Sequence, residues 1–187
     1  IIAVYYQPDS VAVPPVEYSP QQFDFSAQFT RSRFIQGLLP DLTEMEDITL
    51  DGSFNSADNM LLAKASAPHL VYAGTTIDTV GFDLNTVDST LYYSFLINRI
   101  GVGNIELINT LLSGTVQQNQ LDFGMWIKDQ ADKERYHLGM ALQVDAGDFR
   151  FHLLEDGLML NYEMWDVHPE NTITFGSNGL STNQFIL

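Results

Sequence analysis

Leu121-Asp122-Phe123-Gly124-Met125-Trp126-Ile127-Lys128, followed by Tyr136-His137-Leu138-Gly139-Met140-Ala141-Leu142-Gln143-Val144-Asp145, decides the fold. Successive side chains of a β-strand point to opposite sides of the sheet. This two-residue alternation therefore gathers Phe123, Met125, Ile127, Leu138, Met140, Leu142 and Val144 on one face and puts residues such as Asp122, Lys128, Gln143 and Asp145 on the other. Phe23-Asp24-Phe25-Ser26-Ala27-Gln28-Phe29 repeats the pattern near the start. A sheet of such strands is greasy on one side and wet on the other. It must close on itself, stack on a second sheet, or leave its apolar face as a groove.

Composition narrows the field. The 187 residues are 45% hydrophobic and 17% charged, which fits one folded β-rich domain rather than a disordered chain. Eight Lys and Arg against 24 Asp and Glu give a net charge of −16, so there is no basic stripe for phosphates and nucleic acid is not an expected partner. The absence of cysteine rules out disulfides, thiolate catalysis and Cys-ligated metals. No apolar run approaches the roughly 20 residues that span a bilayer, and the start carries no basic flank of a signal peptide. Ile1 in place of an initiating Met points to a fragment or processed chain, with any anchor outside it.

Residues 1–20 hold Pro8, Pro14, Pro15 and Pro20 and read as an extended lead-in after a short strand at Ile2 to Tyr6; residues 21–187 read as a single β-rich domain. After a strand at Gln22 to Thr30, Phe34, Ile35, Leu38, Leu39, Leu42 and Met45 recur at helical spacing but Pro40 interrupts, which predicts a short amphipathic helix from about Arg31 to Leu39, able to plug one end of the sheet, and a turn after it. Strands are expected at Ile48 to Asn55, Met60 to Ser66, His69 to Ala73, Thr75 to Asn85, Thr90 to Asn98, Asn104 to Ile108, Leu111 to Gln117, Gln120 to Lys128, Glu134 to Val144, Asp148 to Leu154, Leu158 to Asn161 and Thr172 to Phe175, with a closing strand near Gln184. Asp58-Asn59, Gln118-Asn119, Ala146-Gly147 and, most strongly, Asp156-Gly157 read as hairpin turns, so consecutive strands are antiparallel neighbours. Gly101-Val102-Gly103 reads as a turn, and Tyr162 to Val167 as a helical turn at most. Leu50-Asp51-Gly52-Ser53-Phe54 echoes Leu112-Ser113-Gly114-Thr115-Val116, each a glycine-bearing strand followed by a polar turn and a return strand.

Catalytic chemistry finds little footing. His137 and His152 fall on the polar phase of adjacent strands and could face each other, but without a ligand set they read as solvent-facing residues. Asp41, Glu44, Glu46 and Asp47 lack the spacing of a calcium loop and read as a solvated turn. No phosphate-cradling glycine loop or nucleophile elbow appears. No catalytic residue, metal or cofactor is expected. Trp126 lies on the polar phase, either exposed for stacking or covered by a second layer, and Trp165 reads as a corner anchor.

The segment from Asp156 to Asn171, then Ile173-Thr174-Phe175-Gly176-Ser177-Asn178-Gly179-Leu180 and Asn183-Gln184-Phe185, resembles the TamB (translocation and assembly module) proteins of Bacteroidota. It has the phrase of a Leu-x-Leu-Asn-Tyr-like strand, here Leu158 to Tyr162, a Trp-x-Val-x-Pro-x-Asn turn at Trp165 to Asn171, and a short strand closed by glycine. The resemblance covers the last two-thirds of the chain. It implies an AsmA-like periplasmic segment, non-enzymatic and anchored outside this stretch, whose antiparallel sheet curls into a taco-like half-barrel with an apolar inner face. That trough would shield phospholipid acyl chains between the inner and outer membranes and support outer-membrane assembly, with the assembly machinery and the rest of the full-length chain as partners. The lipid-facing groove would then be Phe123, Met125, Ile127, Leu138, Met140, Leu142 and Val144. From composition and pattern alone, a carbohydrate-binding β-sandwich, a closed barrel around a small apolar ligand, or a spacer module fit as well.

Overall fold

Each strand is bonded to the one next to it in sequence almost throughout, and the result is one continuous antiparallel sheet. The structure, a computed structural model, describes residues 19–103, 105–145, 147–177 and 179–184. The expected strand at Ile2 to Tyr6 lies outside them. In chain order the elements are β1 (Gln22–Phe29), α1 (Arg33–Leu38), β2 (Leu42–Met45), β3 (Ile48–Asn55), β4 (Met60–Tyr72), β5 (Thr75–Val87), β6 (Thr90–Val102), β7 (Ile105–Gln117), β8 (Gln120–Lys128), β9 (Glu134–Asp145), β10 (Asp148–Leu160), β11 (Glu163–Met164), β12 (Thr172–Gly176) and β13 (Gly179–Asn183). The lateral order is β1-β3-β4-β5-β6-β7-β8-β9-β10-β12-β13, with β2 added beside β4 and β11 beside β10. This is the all-β antiparallel class that the alternation predicts, with one short helix, and it does not close into a barrel. A sandwich of two packed sheets does not form among the described residues.

Two-residue turns set the register. Asp88-Ser89 and Gln118-Asn119 both take positive φ (48° and 61°, 47° and 62°), the geometry whose twist matches that of paired strands. Ala73-Gly74 does the same between β4 and β5. Asp156-Gly157, the strongest hairpin signal in the sequence, is not a turn. β10 runs through it with a register shift between Leu153 and Leu158, a bulge, and the reversal comes at Asn161-Tyr162 (φ 52° and 72°). The bulge fits because Gly157 packs its Cα against Gly139 of β9, where a side chain on either residue would collide with backbone or Leu154.

Other boundaries also move. The separate strands expected on either side of Pro68 are one strand, β4. Pro68 falls where β4 changes neighbour, between the Thr49↔Ser66 pairing to β3 and the Met45↔Leu70 pairing to β2, so its missing N–H interrupts no continuous ladder. Likewise Asn104 to Ile108 and Leu111 to Gln117 merge into β7 through Asn109 at φ 46°. Gly101 and Val102 end β6, leaving Gly103 (φ 57°) in the turn. Leu42–Met45 is a strand, drawn into pairing with β4. At Tyr162 to Val167 there is no helical turn but the two-residue strand β11.

The helix is real but does not plug the sheet. α1 is capped by the Ser32 hydroxyl, which accepts from the Ile35 N–H at 3.3 Å, and it buries no residue; Phe34 is 72% and Leu38 63% exposed. Six residues ended by Pro40 are too few to reach back over the strands.

Candidate functional site

Pairing registers carry the alternation across the whole sheet. One row of directly opposed residues reads Phe25, Gly52, Ala63, Leu84, Tyr93, Gly114, Phe123, Met140, Leu153. The row two residues along reads Ala27, Leu50, Ala65, Phe82, Phe95, Leu112, Met125, Leu138, Leu158. Between them, on the opposite face, lies Ser26, Asp51, Lys64, Asp83, Ser94, Ser113, Gly124, Gly139. Every residue of the two apolar rows is uncharged, and Tyr93 alone bears a side-chain polar group, its hydroxyl donating to the Asp122 carbonyl at 2.9 Å. Burial and the Asp122 carboxylate, in that order, push that hydroxyl above the ordinary tyrosine range.

All seven residues predicted to share a face do so. Phe123 opposes Met140, Met125 opposes Leu138, Ile127 opposes Tyr136, and Leu142 and Val144 oppose Phe151 and Phe149 of β10. They are half-buried by their in-plane neighbours. Very little is buried outright: among the described residues the buried apolar side chains are Leu42, Ala67, Leu158 and Val167. Phe23, Phe29, Phe149, Phe151 and Phe175 on the same face are exposed. Among the described residues the greasy surface thus lies on the outside of a single layer.

The sequence echo has a structural meaning. Gly52 and Gly114 each sit directly opposite an aromatic residue of a neighbouring strand, Phe25 of β1 and Tyr93 of β6. A Cβ on Gly52 would strike the Phe25 ring and the Leu62 carbonyl, and one on Gly114 the Tyr93 hydroxyl and the Asp122 carbonyl. In both units the end of the aromatic side chain occupies the space over the bare glycine, where no side chain of its own exists.

On the polar face the two histidines do not meet. His152 pairs with Ala141 and His137 with Met159, so they stand four ladder positions apart, about 14 Å along the strand. Neither is a plain solvent-facing residue. His152 Nδ1 donates to the Asn171 carbonyl at 2.7 Å, and His137 stacks on Trp126 with ring centroids 4.9 Å apart. Trp126 is therefore half-buried over Gly124 instead of free as a platform. Trp165 is 41% exposed; the corner is held by Val167 and Asn171.

A charged ladder crosses the sheet at the β2 end. His69 Nδ1 lies 2.5 Å from Asp78 Oδ1 and its Nε2 3.4 Å from Glu44 Oε2; Arg99 lies 3.8 Å from Asp78 and 2.5 Å from Glu106. The hydrogen bond to Asp78, followed by that to Glu44, raises the His69 pKa above its ordinary 6.5, against an opposing burial effect. A raised folded value means that the stabilisation is complete below the ordinary value and fades as pH rises through the raised one. The expected result is faster amide exchange in β2 as pH climbs from mildly acidic to alkaline, beyond the intrinsic base dependence. The His69→Gln variant should lack that step; an identical profile in the variant would exclude His69 as its source.

Among the described residues no group of three or more His, Asp or Glu is placed to hold a metal ion, and no helix is long and apolar enough to cross a membrane. What the arrangement offers is an uninterrupted apolar surface backed by a polar one. No family model matches this chain, and neither the curated proteins nor the solved structures searched include a match.

Proposed function

We propose that the chain is a non-enzymatic segment of a cell-envelope protein of the TamB and AsmA-like kind, working in the periplasm, whose apolar sheet face receives phospholipid acyl chains. The observation that carries this reading is the pair of unbroken apolar rows, each nine strands wide, on a sheet that leaves them uncovered among the described residues. An acyl chain asks for a lining with little polarity: each methylene removed from water contributes about 0.8 kcal/mol, while an unpaired polar group costs more than that. Eight inter-strand gaps of about 4.8 Å make the surface roughly 40 Å wide, against about 15 Å for one leaflet of a bilayer's hydrocarbon. Lipid tails can thus lie along or across the strands. Transfer between inner and outer membranes, and support of outer-membrane assembly, follow from the same reading.

Photo-crosslinking in cells tests it. Crosslinkers at Phe123 and Leu142 of the full-length protein should capture phospholipid, those at Asp122 and Gln143 on the opposite face should not, and Phe123→Glu or Leu142→Glu should impair outer-membrane integrity while the circular dichroism stays β-rich. Equal capture from both faces, or none from either, removes the lipid reading.

A further inference from the structure

We infer that the cavity beside the β8–β9 loop receives a phospholipid headgroup that carries both a phosphate and a primary ammonium, the phosphate on Arg135 and the ammonium on Glu106. This deepens the lipid reading above and rests on it. The cavity has a volume of about 490 Å³, within the range of about 300–1,000 Å³ of small-molecule sites, and its walls include Glu106, Ile127, Lys128, Asp129, Arg135 and Tyr136. It belongs to β7, β8 and β9, which are bonded on both sides, so neither lateral edge of the sheet takes part.

Two bulges at one level shape the place. Ile127 of β8 pairs with Thr110 and Tyr136, but the next residue, Lys128, pairs with Ile108 and Glu134, so the ladder skips Asn109 on one side and Arg135 on the other. A bulge re-aims a side chain. Alternation would turn Arg135 away from its neighbour Tyr136, yet its guanidinium lies 5.2 Å from the centre of the Tyr136 ring. Tyr136 opposes Ile127 on the apolar face, so a cation stands where the apolar rows stop. A lipid whose tails lie on those rows brings its headgroup to this end.

The guanidinium is positioned without being neutralised. Its Nε donates to the Asn161 side-chain oxygen at 3.1 Å, and among the described residues no carboxylate stands within ion-pair distance of it. Lys133 and Arg135 lie 4.8 and 5.8 Å from the centre of the Tyr162 ring, which sets a second cation beside the first. That ring is fixed: the Tyr162 hydroxyl donates to Asp129 at 2.7 Å and its N–H to the Arg135 carbonyl at 3.0 Å. An arginine fork matches phosphate oxygens two at a time. Of the two carboxylates in the wall, Asp129 already accepts from the Ala131 and Lys133 N–H groups and from Tyr162, whereas Glu106 Oε2 accepts from the Gln130 amide only at 3.4 Å. Glu106 is therefore the acceptor for an ammonium. Lys128 and Arg135 balance Glu106 and Asp129 across the wall, and a chain of net charge −16 repels a headgroup of net negative charge but not a zwitterion.

Two measurements separate headgroup from tails. In cells, a photo-crosslinker at Gln130 of the full-length protein, in the cavity wall, should capture lipid in which phosphoethanolamine outweighs phosphoglycerol headgroups about tenfold beyond their ratio in the membrane. Glu106→Gln should return the captured ratio to that of the membrane. With the purified full-length protein, phosphorus NMR should show binding of glycerophosphoethanolamine, which has no tails, and binding of inorganic phosphate about tenfold weaker. Arg135→Gln should weaken the first about tenfold with the circular dichroism still β-rich, and Lys133→Gln, which leaves the Arg135 bond to Asn161 in place, about threefold. Lipid capture at Phe123 with no binding of glycerophosphoethanolamine, or capture at Gln130 in the membrane's own headgroup ratio, overturns the headgroup site and leaves the lipid face standing. Binding of glycerophosphoethanolamine with no lipid captured at either position overturns the lipid as its source, and the lipid reading with it.

Discussion

Asn171→Ala should cost about 3 kcal/mol of stability or more, the largest loss expected from any single side-chain truncation on this sheet. Asn171 is 1% exposed, and its amide works as a piece of strand. The side-chain oxygen accepts from the Leu153 N–H at 2.8 Å, and the side-chain nitrogen donates to the Leu153 carbonyl at 2.8 Å and the His168 carbonyl at 2.7 Å. These bonds serve the backbone of β10 where the bulge takes it out of register with β9. The turn before it presents the amide: the Asn171 N–H closes onto the His168 carbonyl at 2.9 Å, with Pro169 at the position whose fixed φ suits it. Alanine leaves the Leu153 N–H and C=O without these partners, and each unsatisfied buried group costs about 1–3 kcal/mol. Aspartate should do no better, since it turns an oxygen toward two carbonyls. Urea melts of the two variants give the measurement; a loss under about 1 kcal/mol for both would mean that the bulge is held by something else.

Gly114→Ala should destabilise by about 1–3 kcal/mol, although it adds one methyl group to an exposed, single-layer sheet. The new Cβ would meet the Asp122 carbonyl of β8 and the Tyr93 hydroxyl of β6, so β7 has to part from its neighbours to admit it. Removing the ring cannot relieve the collision with backbone. Tyr93→Ala in the Gly114→Ala background should therefore recover little, while Gly81→Ala, which meets nothing within 4 Å, should stay within about 0.5 kcal/mol of the unaltered chain. Full recovery in the double variant would place the strain in the ring contact alone.

How far these features were legible depends on the distance over which they are determined. The face of Phe123, Met125 and Ile127 could be read because a strand's side-chain period is local, and one polar residue out of phase would have shown. The bulge at Leu154 to Gly157 could not. Asp156-Gly157 has the composition of a turn, and what keeps the strand going is an asparagine far downstream in sequence. Pro68 misled for a similar reason: its tolerance depends on which neighbour β4 has at that point. His137 and His152 share a phase, and phase alone does not say how far apart along the ladder two residues stand. The glycine echo is visible as text; its partner rings, Phe25 and Tyr93, come from the strand paired beside each glycine and become apparent only with the register.

A meander in which nearly every strand touches only its sequence neighbours behaves as a one-dimensional chain of hairpins. Cooperativity then decays with distance along the row instead of spanning the molecule at once. Folding can begin at any tight turn, Asp88-Ser89 or Gln118-Asn119 among them, and spread outward, with short loop closures throughout. The outermost strands fray first, while the protons of β5 to β9 exchange last. A whole hairpin can also be inserted or deleted at a turn without disturbing the register of the rest, so the width of such a ribbon is set by the number of hairpins, and evolution can lengthen it two strands at a time.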